Sequence, residues 1–403
     1  MNFAEKQYIF WRKLKAFLSS LAYYACWVFP IDPYKIVMWT FEGKGGYGCS
    51  PKYIAKELLR RNQQGQTAYK IIWLVDDMEK KFPKEIQKVK SSLWTRAYHL
   101  STARFWIANT RTVYGTKKRK GTVYLQTWHG TLALKPIGKY RGKQLPQMAY
   151  LVSEYDSKMM DYALSGSRWC TDMWPEGLIY KGTILETGTP RCDALFHEIE
   201  EMHVQFRKEC HIPLDAKILL YAPTFRGGSQ TKNRSVKAEF CSVDFERLIT
   251  ALEKRFGGEW YVFLRLHPQL AAQMERFPVR ENNRRLIDVS QRPDVSEIIA
   301  ASDACLTDYS TVIFESFLTH VPGFIYADDL REYIVDRGHL MFELEEIPFP
   351  VASTNDELEK NILTFDQDVY REKAEWFIKR TGIIEDGCAS KRVVDLIERL
   401  GQE

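Results

Sequence analysis

The feature that most constrains this chain is a sustained alternation of short apolar runs with stretches of helical spacing. KIVMWTF at 35–41 passes through the loop EGKGGYGCSP into PKYIAKELLRR at 51–61. That segment has a proline at its start and basic residues at its end, as helices do. YKIIWLV follows at 69–75. Two short strands separated by a helix make a βαβ unit, and βαβ units build parallel sheets. Strand-like runs recur at 104–109 and in TVYLQTWHG, and LVSEYDS and GTILETGTP carry the alternation to Pro190. A charged stretch from His197 to His211 predicts a helix leading into a second α/β region. There AKILLYAPTFRG, EWYVFLRLHPQ, RLIDVS, the segment 294–320 and VPGFIYA repeat the same logic, before a mostly helical end from Asp366 to Leu400.

At 403 residues the chain is too long for one ordinary core and comfortable for two. The expected division is a helix over 1–30, a Rossmann-like domain over 31–200, a second over 201–370, and helices over 371–403 that pack back across the domains. Hydrophobic residues at 45% and charged residues at 27% exclude a disordered chain. A net charge of +5 suits a partner bearing phosphates without demanding one, and no nucleic-acid partner is expected. The eight cysteines form no CxxC pair and have no histidine at zinc-finger spacing. They read as reduced thiols rather than a disulfide framework or a zinc site.

The first residues carry their own signal. YIFWRKLKAFLSSLAYYACWVF, from Tyr8 to Phe29, sets Arg12, Lys13 and Lys15 among aromatic rings. Its uncharged part, Ala16 to Phe29, is shorter than the roughly 20 residues of a span, and no small-residue cleavage site follows. The pattern predicts an amphipathic helix lying at a membrane surface. A buried helix capping the first domain is the alternative, and a true span is a minor third.

Polar residues gather where strands run into loops. In open parallel sheets ligands sit beyond the carboxyl ends of the strands. Trp128-His129-Gly130, Thr224-Phe225-Arg226, Arg265-Leu266-His267-Pro268 and Thr307-Asp308-Tyr309-Ser310-Thr311 all occupy such positions, in both halves. The expectation is a cleft between two Rossmann-like domains, as in two-domain nucleotide-sugar transferases. In TDYSTVIFES, a helix start with Ser310 and Thr311 suits phosphate, and Glu315 lies within reach of a ribose hydroxyl. A simple helix cap by Asp308 or Ser310 explains the same residues. RLHP places Arg265 and His267 two apart on a strand end, where a guanidinium beside an imidazole suits a diphosphate. His129 precedes Gly130, which permits a tight turn and close approach of a substrate. An imidazole held there can act as a general base, or can be a hydrogen-bonded loop histidine. The glycine-rich GKGGYG at 43–48 is too loose to be a dinucleotide fingerprint, no GxxxxGK[ST] is present, and no Asp pair is placed for a metal, so transfer without a metal or other cofactor is the default expectation.

Taken together, QTWHGTLALKPIG, ETGTPRCDALF, ILLYAPTFR, VFLRLHP, LTDYSTVIFES and FIYADDLREYIVDRG resemble the CDP-glycerol glycerophosphotransferase family, from about Pro30 to the last helix. The resemblance implies a GT-B fold, with the acceptor on the first domain and the CDP-linked donor on the second. It implies transfer of glycerol phosphate or ribitol phosphate from CDP-glycerol or CDP-ribitol to a hydroxyl of a polyprenyl-diphosphate-linked saccharide, with release of CMP, in teichoic acid or capsule synthesis. It places the enzyme peripherally at the cytoplasmic face of the cell membrane. The family's essential histidines fall on His129 and His267. Its donor phosphate and nucleotide contacts fall on Arg265, Thr307, Ser310, Thr311, Glu315 and, less directly, Arg226. Gly130 and Thr131 fall on the acceptor side. Three positions depart from the pattern: Glu315 where Asp is expected, Cys192 where Asn is expected, and His339 where an aromatic is expected after Arg337-Gly338. The short chain favours a primase over a polymerase. Another GT-B enzyme using a nucleotide sugar, and a non-catalytic binding scaffold, are the competing readings.

Overall fold

The structure is a computed structural model describing residues 3–224, 242–266 and 284–402. It divides into two compact units, each built on a parallel sheet. The first comprises residues 1–131, 137–193 and 383–403, and the second comprises residues 132–136 and 194–382.

The first unit holds strands β1 (Asp32–Trp39), β2 (Lys70–Val75), β3 (Gln87–Lys90), β4 (Ala103–Ala108), β5 (Val123–Gln126), β6 (Tyr162–Ser165) and β7 (Thr183–Glu186). They pair in the order β3-β2-β1-β4-β5-β6-β7, all parallel. This is the doubly wound order, with its switch point between β1 and β4. Ile36, Val37 and Met38 are fully buried in succession, as expected of a strand covered on both faces. On one face Ile36, Met38, Phe105 and Ile107 pack against Ile54 and Leu58 of helix α2 (Cys49–Gln63) and against Val393, Val394 and Ile397 of the last helix, Ala389–Gly401. On this sheet Trp39, Trp106 and Tyr124 also form an aromatic cluster.

Helix α1 (Phe3–Cys26) packs against helix α3 (Leu93–Ser101) and the loop after β4. Tyr23 Oη lies 3.2 Å from Thr116 Oγ1, and a methyl on Gly115 would overlap Ser19 Oγ. Ile9, Ala16, Ser20, Ala22, Tyr23 and Cys26 are buried, while Phe10, Trp11, Leu14, Phe17, Leu18, Leu21 and Tyr24 are exposed. Among the described residues no helix is long and apolar enough to cross a membrane.

The second unit holds β8 (Lys217–Tyr221), β9 (Trp260–Leu264), β10 (Leu286–Asp288), β11 (Ala304–Thr307), β12 (Gly323–Tyr326) and β13 (Val351–Ala352). Their order, β10-β9-β8-β11-β12-β13, repeats the doubly wound pattern, with the switch point between β8 and β11.

Two details differ from the sequence reading. LVSEYDS belongs to helix α4 (Gln147–Ser157), and the strand of that unit is the short YALS at 162–165. The helix that the sequence opens at TDYSTVIFES starts only at Ile313, after a loop, and is short: one α turn, Ile313–Ser316, continued by a 3₁₀ turn, Phe317–Thr319. Amides of a loop, not a strong helix dipole, are what that segment offers an anion.

Candidate functional site

The best-defined site lies at the carboxyl ends of the first unit's strands, beside the switch point. After β5 the chain turns through Trp128, a non-glycine residue with φ of +52°. Left-handed backbone costs a residue with a side chain about 1–2 kcal/mol and persists only where the surroundings enforce it. Here Trp128 N donates to Gln126 Oε1 at 3.0 Å, and Thr127 N to the Ala108 carbonyl at 2.8 Å. Phe41 and Glu42, in the loop between β1 and α2, and Cys49, at the start of α2, also have positive φ. Strained backbone is thus concentrated on the loops at this end of the sheet.

The turn delivers His129 into a defined setting. Its Nδ1 lies 2.8 Å from the Asn109 carbonyl, so the neutral ring donates Nδ1–H there and carries its lone pair on Nε2. The indole of Trp128 stacks on the imidazole, with centroids 4.4 Å apart and planes at 29°. Phe41 meets the same ring edge-on at 5.7 Å. Burial lowers the His129 pKa to about 4, the Arg191 and Arg111 cations push it the same way, and the Asn109 carbonyl pulls against them. Arg111 lies over the Trp128 ring at 5.6 Å. His129 is therefore neutral at physiological pH, which is the protonation state of a base.

Around it the loops are tied to one another. Asn109 is fully buried at the end of β4, and its Oδ1 accepts from Phe41 N at 2.9 Å, across the switch point. Its side-chain nitrogen has no hydrogen-bond partner among the described residues. Thr131 is also fully buried. Its hydroxyl lies 3.3 Å from both Thr189 Oγ1 and Glu385 Oε1, and its carbonyl accepts from Ser167 Oγ at 3.1 Å. Thr131 thus braces the loop, while Gly130 is half-buried beside His129. Arg191 is buried with Nη1 3.6 Å from Cys49 Sγ at the start of α2.

In the second unit the structure brings Thr224 and Asp308 together, again across a switch point. The Asp308 carboxylate accepts from Thr224 N at 2.8 and 3.0 Å and from Thr224 Oγ1 at 3.0 Å. It fixes the loop after β8 against the loop after β11. Ser310 and Thr311 follow, both half-buried. Thr307 is fully buried and donates its hydroxyl to the Ala222 carbonyl at 2.6 Å, bracing the sheet. Arg265 donates to the carbonyls of Val289 and Arg292, which holds the loop after β10. Glu315 is fully buried in the turn beyond. Tyr309 stacks on Tyr333 with centroids 3.9 Å apart and donates to Asp329 at 3.0 Å. His267 and Arg226 lie outside the described residues. Among the described residues no three His, Cys, Asp or Glu side chains are grouped to hold a metal.

Sequence reasoning passed over Asn109, Arg111, Arg191 and Glu385. Arg191 stood inside the quoted motif ETGTPRCDALF, where an arginine after a Gly-x-Pro turn was a usable signal. The other three act through a carbonyl, a ring stack and a contact from near the end of the chain, none of which has a local signature.

The chain is 30% identical over 384 residues to a teichoic acid poly(glycerol phosphate) polymerase of Staphylococcus epidermidis, covering 92% of this chain and 51% of that one. It is 25% identical over 396 residues to a polymerase of the same description from Bacillus spizizenii, covering 96% and 97%. The chain spans about half the length of the first of these relatives. Its fold matches the solved wall teichoic acid polymerase TagF with a TM-score of 0.79 and 25% identity, over 100% of this chain and 99% of that one. The sequence pattern of CDP-glycerol:poly(glycerophosphate) glycerophosphotransferases matches residues 21–399, and the chain belongs to that family.

Proposed function

We propose that the chain transfers glycerol phosphate, or ribitol phosphate, from a CDP-linked donor to a hydroxyl of a lipid-linked saccharide and releases CMP. The observation that carries this reading is His129: a neutral imidazole with Nε2 unprotonated, held at a strand end in a chain of this family. Relatives described as glycerol-phosphate and as ribitol-phosphate polymerases support a CDP-polyol donor, as does a TagF variant solved after a soak with CDPG. The donor and acceptor roles are those of a GT-B enzyme, with the acceptor on the first unit and the donor on the second.

In this mechanism the acceptor hydroxyl gives its proton to His129 Nε2 as its oxygen attacks the phosphorus that bears the polyol. The bond from that phosphorus to the bridging oxygen breaks, and CMP leaves with the electron pair. Phosphoryl transfer needs alignment and neutralisation of charge more than covalent help. His267, Arg265, Arg226, Thr307, Ser310 and Thr311 are assigned to the donor phosphates on the strength of the resemblance, and Glu315 to the polyol or ribose. Arg265 and Thr307 are also hydrogen-bonded to backbone carbonyls, and so brace the loops around the donor as well.

The exposed stripe of Phe10, Trp11, Leu14, Phe17, Leu21 and Tyr24 on α1, with Lys13 and Lys15 exposed beside it, supports peripheral attachment to a membrane surface. That surface is assigned as the cytoplasmic face, where a polyprenyl diphosphate presents its sugar. The test is a donor screen with CDP-glycerol, CDP-ribitol and UDP-sugars against a lipid-linked disaccharide. CMP release with a CDP-polyol, lost in His129→Ala, is the expected result. UDP release from a nucleotide sugar, or full activity of His129→Ala, refutes it.

A further inference from the structure

The carboxylate of Glu385 is not part of any motif recognised above, yet it meets both loops that shape the base. It belongs to the segment between the second unit and the last helix, which crosses the carboxyl ends of β5, β6 and β7. Ile383 bridges Ser167 in antiparallel fashion, and Ile384 N donates to the Gly166 carbonyl at 3.1 Å. That places Glu385 where its two oxygens accept from Thr189 N at 3.1 and 2.9 Å, and Oε1 accepts from Thr131 Oγ1 at 3.3 Å. Thr131 is two residues after His129, and Thr189 is two residues before Arg191.

The surroundings are shaped for this group. A methyl on Gly166 would overlap Glu385 Oε1 and Thr189 Oγ1, and one on Gly188 would lie 3.1 Å from Oε2. Two glycines, at the ends of β6 and β7, thus leave the space that the carboxylate fills. Gly188 also has φ of +81°, which a side chain would strain. The segment is anchored on its far side as well. Asp193 accepts from Ala389 N at 3.0 Å and Ser390 N at 2.8 Å, and Arg392 donates to the Thr187 carbonyl at 3.0 Å. A carboxylate accepts through both oxygens at once, so it ties the two loops together more firmly than a neutral side chain with a single acceptor oxygen would.

We propose that Glu385 is a positioning residue for the transfer reaction: it locks the His129 loop to the Arg191 loop and so fixes where the base and the neighbouring guanidinium stand. The inference rests on His129 as the base. A purely structural brace would affect folding and leave the chemistry alone, whereas a positioning brace affects turnover in a protein that remains folded.

The test uses the full chain and compares Glu385→Gln, Gly166→Ala and His129→Ala. Glu385→Gln keeps the shape but sets an amide where a carboxylate accepted the Thr189 N–H. Gly166→Ala displaces the carboxylate without removing its charge. Both are expected to lower kcat at least tenfold with KM for CDP-glycerol within twofold of the parent. Both should also move the acid limb of the kcat/KM profile upward, towards the ordinary imidazole range, as the loosened loops admit water to His129. Parental kcat and an unmoved profile in a variant with a lowered melting temperature overturn the proposal and leave Glu385 a structural brace. Should Glu385→Gln fail to fold, Gly166→Ala carries the same comparison. Full activity of His129→Ala refutes the base assignment itself, while its inactivity beside a fully active Glu385→Gln refutes only the positioning role.

Discussion

The protonation behaviour of His129 gives the sharpest test of the site. An ordinary histidine titrates near 6.5, whereas burial, helped by Arg191 and Arg111, brings His129 down to about 4. At pH 5.5 an imidazole with a midpoint of about 4 is about 97% neutral, and one at 6.5 only about 9%. A base in the depressed range therefore keeps nearly all of its activity at pH 5.5, where an ordinary histidine would lose about tenfold. The direct assay follows imidazole resonances by NMR from pH 8 to 5, with the His129 signal identified by its absence in His129→Gln. That signal should not shift across the range, and kcat/KM should hold its acid limb below pH 5. The same shift has a sign for stability. The unfolded chain takes up a proton near 6.5 that the folded chain refuses until about 4, so folding weakens as pH falls between those values, by at most about 3 kcal/mol. A His129 resonance that titrates near 6.5 would refute the argument that burial sets the base.

Other consequences are as direct. Asp156 is fully buried and accepts from Thr112 N at 2.8 Å and Thr112 Oγ1 at 2.7 Å, so Asp156→Ala should cost about 3 kcal/mol in thermal or denaturant unfolding. Asp308→Ala removes the tie between Thr224 and the loop that carries Ser310, so KM for the CDP-linked donor should rise about tenfold or more, beside a stability cost of about 1–3 kcal/mol for the buried Thr224 N–H left unpaired; an unchanged KM removes that loop from the donor site. Phe17→Ser combined with Leu21→Ser alters only the exposed face of α1, and it should release the protein from anionic liposomes with turnover on a soluble acceptor preserved. Gly115→Ala puts a methyl against Ser19 Oγ at a φ of +104°, so it should loosen α1 from the first unit and cost about 1–3 kcal/mol.

Much of the architecture was legible because it is written in local pattern. Apolar runs such as KIVMWTF and YKIIWLV are β1 and β2, and PKYIAKELLRR lies in α2, because a strand covered on both faces must be apolar throughout. Where that requirement lapses, so did the signal. The edge strand β3 reads QKVK and has no fully buried residue, so it offers no alternation. β6 is only four residues long, and the neighbouring LVSEYDS, which lies in a helix, presented a more strand-like run.

The site divides along the same line, and the division says what kind of information each part needs. His129 was visible because a histidine before a glycine at a strand end is a local arrangement. What fits it for the proposed role of base is not local. Its tautomer is chosen by the carbonyl of Asn109, 20 residues earlier, and its pKa by burial and by Arg111 and Arg191 on other loops. A carbonyl has no residue type, so no sequence pattern marks the group that aims the imidazole. Glu385 lies further still: it reaches Thr131 across 254 residues of chain, through a space that exists only because Gly166 and Gly188 lack side chains. A motif can therefore point to the proposed reacting group, but the groups that set its proton and its position are those the doubly wound sheet assembles at its carboxyl edge. Among them substitutions can alter turnover without touching a motif residue.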